Sequence, residues 1–162
     1  MVEINTQAPE FCLQNQASEP VCNTDYKGNW LVLYFYPKDN TPGCTLEARN
    51  FTLYEDDFKR LNAKVIGISP DSCDSHKKFA EKHDLTVTLL SDPSHEVLEQ
   101  FKVWKPKKFM GKEYLGVNRT TYLIDPDGVI RHVWNNVKVQ HHIEDVIEKL
   151  KETQRGEQGS ND

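Results

Sequence analysis

No stretch of this 162-residue chain is apolar for long enough to span a bilayer. Its first residues, Met1-Val2-Glu3-Ile4-Asn5, lack the basic and apolar regions of a secretory signal, so a cytoplasmic, reducing setting is expected. Basic surplus is missing too. The formal charge is −5, whereas a nucleic-acid partner wants a cationic face, so neither nucleic acid nor membrane is expected as a partner. Neither an internal repeat nor a linker divides the chain. A single domain over residues 1–154 is therefore expected, with a polar, disordered tail at 155–162. Cysteine is sparse as well: Cys12, Cys22, Cys44 and Cys73 form no C-x-x-C and no zinc-type pair of pairs. The residue that would complete a C-x-x-C with Cys44 is Glu47, which argues against a dithiol reductase. What matters in a reducing compartment is which of these thiols is reactive.

The informative stretch is Tyr36-Pro37-Lys38-Asp39-Asn40-Thr41-Pro42-Gly43-Cys44-Thr45-Leu46-Glu47. Ahead of it, residues 31–36 are β-branched and aromatic enough to predict a buried strand. Behind it, Leu46, Phe51, Tyr54, Phe58 and Leu61 repeat at helical spacing, predicting a helix over 43–61. Thr41 suits the N-cap and Pro42 the first helical position, which puts Cys44 in the first turn among free backbone N–H groups. Such a site favours a sulfur anion. Holding an ordinary thiol mostly as its anion near neutral pH takes roughly 3 kcal/mol. A helix terminus contributes only about 0.3–1 kcal/mol, so a further partner is needed. The Thr41 hydroxyl lies on the same face of the turn, and a cation must come from elsewhere.

Around this stretch the pattern is of mixed α/β type. Residues 11–13 and 20–22 predict an N-terminal β-hairpin about Asn15-Gln16-Ala17-Ser18. Residues 64–69 predict a strand parallel to the one at 31–36, through a right-handed crossover. A helix at 73–83, a strand at 87–90, a helix from Asp92 onward, strands at 120–124 and 129–134 and a closing helix from His142 follow. Residues 103–115, with lysines at 102, 105, 107, 108 and 112 on or beside them, read as a basic connecting loop. The whole predicts a mixed central β-sheet flanked by helices, with the first turn after the strand at 31–36 at its carboxyl edge. His76 and His83 read as a solvated helix face, His141 and His142 as surface residues, and no metal site is expected. Cys12 and Cys22 flank the hairpin turn; small buried hydrophobes are the simpler reading of both.

Pro37-x-x-x-Thr41-x-x-Cys44 after an apolar strand resembles the peroxidatic motif of the peroxiredoxins. Tyr34 through Thr45, together with Gly67-Ile68-Ser69-Pro70-Asp71, Leu89-Leu90-Ser91-Asp92 and 119–125, is similar to the bacterioferritin comigratory protein, or peroxiredoxin Q, subfamily. The resemblance runs from about residue 8 to 152. It implies a thioredoxin-like fold and a thiol peroxidase without a cofactor, acting on hydrogen peroxide and organic hydroperoxides through a cysteine sulfenic acid. It implies Cys44 as the peroxidatic cysteine, Thr41 as its hydroxyl partner, Pro37 as its shield and Arg119 as the missing cation. Glu47 would orient the arginine and the Gly43 N–H would help bind peroxide. Thioredoxin or a similar dithiol would be the reductant, and the chain would be a monomer. Two departures leave resolution open, because the usual resolving positions hold Arg49 and Ala80. Cys73, a one-cysteine cycle with an external thiol, and Cys12 or Cys22 are the alternatives. A non-catalytic thiol sensor or binding module is the competing function.

Overall fold

The computed structural model describes residues 1–159, with side chains as far as Gly156. In chain order the elements are β1 (Cys12–Asn15), β2 (Pro20–Cys22), β3 (Trp30–Phe35), α1 (Pro42–Leu53), α2 (Glu55–Arg60), β4 (Ala63–Ser69), α3 (Cys73–His83), β5 (Thr88–Ser91), α4 (Glu96–Gln100), β6 (Trp104–Phe109), β7 (Lys112–Val117), β8 (Thr120–Ile124), β9 (Ile130–Trp134) and α5 (His142–Gly159). Seven strands form one sheet in the order β2-β1-β5-β4-β3-β8-β9, while β6 and β7 pair apart from it. β3, β4 and β5 are parallel; β1, β8 and β9 join antiparallel.

β3 explains the layering. All six of its residues are buried, and strand alternation sends them to opposite faces. Trp30, Val32 and Tyr34 pack with Phe51, Phe58, Phe79 and the Ile143, Val146 and Leu150 stripe of α5. Leu31, Leu33 and Phe35 pack on the other face with Leu98, Phe101 and Tyr122. A central strand covered by helices on both sides has no polar face, which is why its sequence reads as an unbroken apolar run. Where β3 pairs with β4, Gly67 lies opposite Tyr34. A Cβ on Gly67 would stand 2.6 Å from the Tyr34 ring, and that ring is locked against Phe51 at 4.6 Å. Gly67→Ala is therefore expected to lower unfolding free energy by about 1–3 kcal/mol through overpacking, read from urea denaturation with an unchanged m-value.

The structure departs from the sequence-based expectation in several places, among them α4, which begins at Glu96 rather than at Asp92. The helix predicted over 43–61 breaks at Tyr54 into α1 and α2. Glu55, Asp56 and Asp57 occupy the first turn of α2, where acidic residues suit the positive helix end better than a helix interior. The basic segment at 103–115 is not a loop but the β6–β7 hairpin. Its turn residues, Met110 and Gly111, both have positive φ, the geometry of a type I′ turn, which Asn-Gly usually announces and Met-Gly does not. The closing helix runs through Gly159 rather than ending before Arg155, anchored by the Gln154 side chain on the Leu61 carbonyl at 2.6 Å; the remainder of the expected disordered tail, 160–162, lies outside the described residues. Finally, Cys12 and Cys22 are not buried hydrophobes. They face each other in register across β1 and β2, partly exposed, and are joined in a disulfide.

Candidate active site

Cys44 is the third residue of α1 and only 1% exposed. The first main-chain bond of the helix runs from Thr45 N to Thr41 O at 2.9 Å, so the Gly43 and Cys44 N–H groups ahead of it have no intrahelical acceptor. Arg119, between β7 and β8, crosses this helix end. Its Nη2 lies 3.1 Å from Cys44 Sγ and its Nη1 donates to Glu47 Oε1 at 2.6 Å. A guanidinium only donates, so the sulfur accepts, and a sulfur anion accepts best. Gly43 makes room for this: a Cβ there would sit 3.3 Å from Arg119 Nη2. Arg119 is pulled down by its own burial, but Glu47 and Cys44 outweigh that and raise it above its ordinary value.

Glu47, one turn after Cys44, is completely buried. Its Oε2 has no hydrogen-bond partner among the described residues. Burial lifts its carboxyl from 4.5 to about 7, with Arg119 opposing the rise. Thr41 stands at the N-cap as expected, yet its hydroxyl donates to the Lys38 carbonyl at 2.8 Å and makes no cap bond. Pro37, half-buried, follows β3 by two residues. Cys44 and Cys73 are both free thiols. Cys73 opens α3, and its Sγ lies 3.9 Å from the Gln14 carbonyl of β1.

Several residues around this site carry more than their sequence context suggests. His76 is not on a solvated face; it is completely buried. Its Nδ1 meets Asp39 Oδ2 at 2.7 Å and its Nε2 faces the Leu90 carbonyl at 3.0 Å. A carbonyl can only accept, which assigns the Nε2 proton. Asp39 also accepts from the Tyr36 and Ser75 hydroxyls at 2.6 and 2.8 Å, and the Asp39 N–H donates to Asp71 Oδ2. The ligand atoms of Asp39, Asp71 and His76 lie within 4.8 Å of one another, and the hydrogen bonds that Asp39 makes to Tyr36, Ser75, His76 and Asp71 tie the segment leading to Cys44 to α3 and to the end of β4. The one signal in the sequence was spacing: His76 is one turn before the buried Phe79. His142, expected on the surface, is buried too. Its Nε2 meets Thr121 Oγ1 at 2.8 Å, and burial lowers it to about 4, with Asp145 opposing and Arg119 assisting. Lys107 of β6 is the other residue the sequence concealed. Partial burial lowers its ammonium first, Arg119 second, while Cys44 opposes both, so its charge acts at the same site.

Glu47 and His142 give the stability of the fold an unusual pH profile. Between 4.5 and about 7 the folded chain keeps a proton on Glu47 that the unfolded chain has released, so this contribution falls as pH rises. Between about 4 and 6.5 the unfolded chain protonates His142 and the folded chain does not, so that contribution falls as pH drops. Each slope is at most about 1.4 kcal/mol per pH unit, with opposite sign. The two offset one another in the overlap. Glu47→Gln removes one of them: its urea midpoint should decline steadily from pH 6.5 to 4.5, against a flatter wild type.

Comparison with known proteins agrees with this geometry. Residues 4–133 match the AhpC/TSA family. The chain is 48% identical over 151 residues to a peroxiredoxin Bcp of Bacillus subtilis, covering 93% of this chain and 96% of that one. It is 46% identical over 145 residues to a peroxiredoxin Bcp of Escherichia coli, covering 90% and 93%. Among solved structures, a PrxQ mutant of Xylella fastidiosa superposes with a TM-score of 0.90 at 38% identity, covering 94% of this chain and 98% of that one. The bacterioferritin comigratory protein of Xanthomonas campestris, described for its alkyl peroxide reduction activity, gives 0.85 at 36%, covering 88% and 91%. The sheet with its flanking helices is thus the thioredoxin-like one of those structures. The chain belongs to the AhpC/TSA family and is a peroxiredoxin of the Bcp or PrxQ kind, a thiol-dependent peroxidase.

Proposed function

We propose that Cys44 is the peroxidatic residue, reducing hydrogen peroxide and organic hydroperoxides, and that Arg119 makes it effective. The 3.1 Å contact from Arg119 Nη2 to Cys44 Sγ, with Glu47 bracing the other nitrogen, carries this reading. The thiolate attacks one peroxide oxygen, the O–O bond breaks, and the other oxygen leaves as water or alcohol; the sulfur becomes a sulfenic acid. Loss of the thiol proton does not explain rate by itself, since nucleophilicity falls with basicity. The larger share comes from donors set where charge develops. These are Arg119 and the Gly43 and Cys44 N–H groups, joined by the Thr41 hydroxyl once it turns from Lys38. Pro37 limits water around the sulfur. No cofactor enters these steps.

Cys73 is the resolving thiol in this reading, reached when the first turn of α1 unwinds. The absence of an N-cap hydrogen bond at Thr41 favours that, since such a bond typically stabilises a helix by about 1 kcal/mol. A dithiol such as thioredoxin closes the cycle. We further propose a monomer working in the cytoplasm, with neither nucleic acid nor membrane as partner; no described helix is long and apolar enough to cross a membrane. The test is peroxide consumption with a dithiol donor, followed by stopped-flow, for wild type and Cys44→Ser. Turnover that disappears in the variant supports the peroxidatic assignment. Oxidation of Cys44 without turnover would favour a sensor instead.

A further inference from the structure

We propose that the Cys12–Cys22 pair is a second redox centre, which takes the oxidising equivalent from Cys73 and gives it up to an external dithiol at the sheet edge. The proposal rests on Cys44 being the peroxidatic thiol and concerns where its oxidation ends. The topology brings the parts together: the N-terminal hairpin pairs with β5, the strand that follows α3, and so lies beside the start of α3. Cys73 Sγ stands 3.9 Å from the Gln14 carbonyl and 3.8 Å from Gln14 Oε1. Gln14 and Cys12 are two residues apart on β1, hence on one face and about 7 Å apart along the strand. A single surface cleft has Cys12, Gln14, Ser72, Cys73 and Pro93 in its walls. Cys12 is exposed, and β2 is the outermost strand of the sheet. An incoming dithiol therefore reaches this disulfide without disturbing the core, whereas Cys44 is buried.

The transfers balance as thiol–disulfide exchange. The Cys73 thiolate attacks the Cys44 sulfenic sulfur; the S–O bond breaks and hydroxide leaves as water, giving a Cys44–Cys73 disulfide. The Cys12 thiolate then attacks Cys73 Sγ, and Cys44 departs with the electron pair as the regenerated thiolate. The Cys22 thiolate attacks Cys12 Sγ and releases Cys73. Two electrons have now left the hairpin dithiol, and the external dithiol restores them. The structure has the arrangement that ends this sequence: Cys12 and Cys22 joined, Cys44 and Cys73 free.

The test begins with fully reduced wild-type protein and one equivalent of hydrogen peroxide, quenched with an alkylating reagent and mapped by mass spectrometry. The expected end state is Cys12–Cys22 joined, with Cys44 and Cys73 alkylated. Cys73→Ser should leave Cys12 and Cys22 alkylated while Cys44 accumulates as sulfenic acid. Cys22→Ser should trap a Cys12–Cys73 disulfide, and Cys44→Ser should leave the hairpin reduced over the same interval. A wild type that stops at Cys44–Cys73, or a Cys73→Ser variant whose hairpin oxidises as fast as wild type, overturns the proposal. If Cys44 is not oxidised at all, the peroxidatic reading fails instead. The exchange is then decided by Cys22→Ser/Cys44→Ser treated with diamide, where a Cys12–Cys73 disulfide upholds it and two free thiols refute it.

Discussion

Arg119→Ala is expected to lower the second-order rate constant of Cys44 with peroxide by about 10²–10³, the usual consequence of removing one preorganised donor from a developing charge. Two effects combine. The sulfur loses the hydrogen bond at 3.1 Å, and in the proposed mechanism the leaving oxygen loses the guanidinium that would stabilise it. Arg119→Lys should recover only part of the loss. One ammonium cannot serve Cys44 and Glu47 together in the planar fork that a guanidinium supplies. Glu47, meanwhile, would be left buried without its partner in the alanine variant. Stopped-flow tryptophan fluorescence during a single peroxide turnover separates this from folding, provided that near-UV circular dichroism is unchanged. A rate within threefold of wild type would remove Arg119 from the mechanism.

His76→Ala should cost about 3–5 kcal/mol of stability. It deletes the partner of a carboxylate that is itself buried: Asp39 would keep the Tyr36 and Ser75 hydroxyls but lose its contact at 2.7 Å. The Leu90 carbonyl loses its donor at the same time. At roughly 2–4 °C per kcal/mol for a chain of this size, the melting temperature should fall by about 10 °C. Asp39→Asn keeps an acceptor for the hydroxyls and should cost less. Because Asp39 lies five residues before Cys44, hydrogen exchange at 39–44 should accelerate more in His76→Ala than exchange in β8. Uniform acceleration would mean that this cluster is merely part of the global core.

Reading the chain by pattern worked best where one physical force acts alone. β3 is apolar on both faces because helices cover both, so its run was visible without knowing what covers it. α3 was bounded correctly at both ends, because Ser72 caps its start by accepting from Ser75 N at 3.1 Å and Asp84, in the left-handed conformation, closes its end. The basic hairpin was missed since its turn lacks the usual residues, and the break at Tyr54 since periodicity continues across it from Phe51 to Phe58. Buried polar groups were hardest. A histidine set between Ser75 and Lys77 gives little sign of burial when its partner is 37 residues away.

By itself, then, the sequence determined the strand–turn–helix that carries Cys44 and the α/β class, because both follow from nearest-neighbour chemistry: apolar periodicity, an N-cap threonine, a proline at the first helical position. Residue chemistry alone left open which cation meets the sulfur and which carboxylate holds it; the family resemblance pointed to Arg119 and Glu47, the tertiary structure brings them together, and it alone decided which cysteines are joined. Those pairings span 75, 72 and 10 residues. They are fixed by how strands cross and align in the sheet, and the order of residues along the chain does not encode that locally.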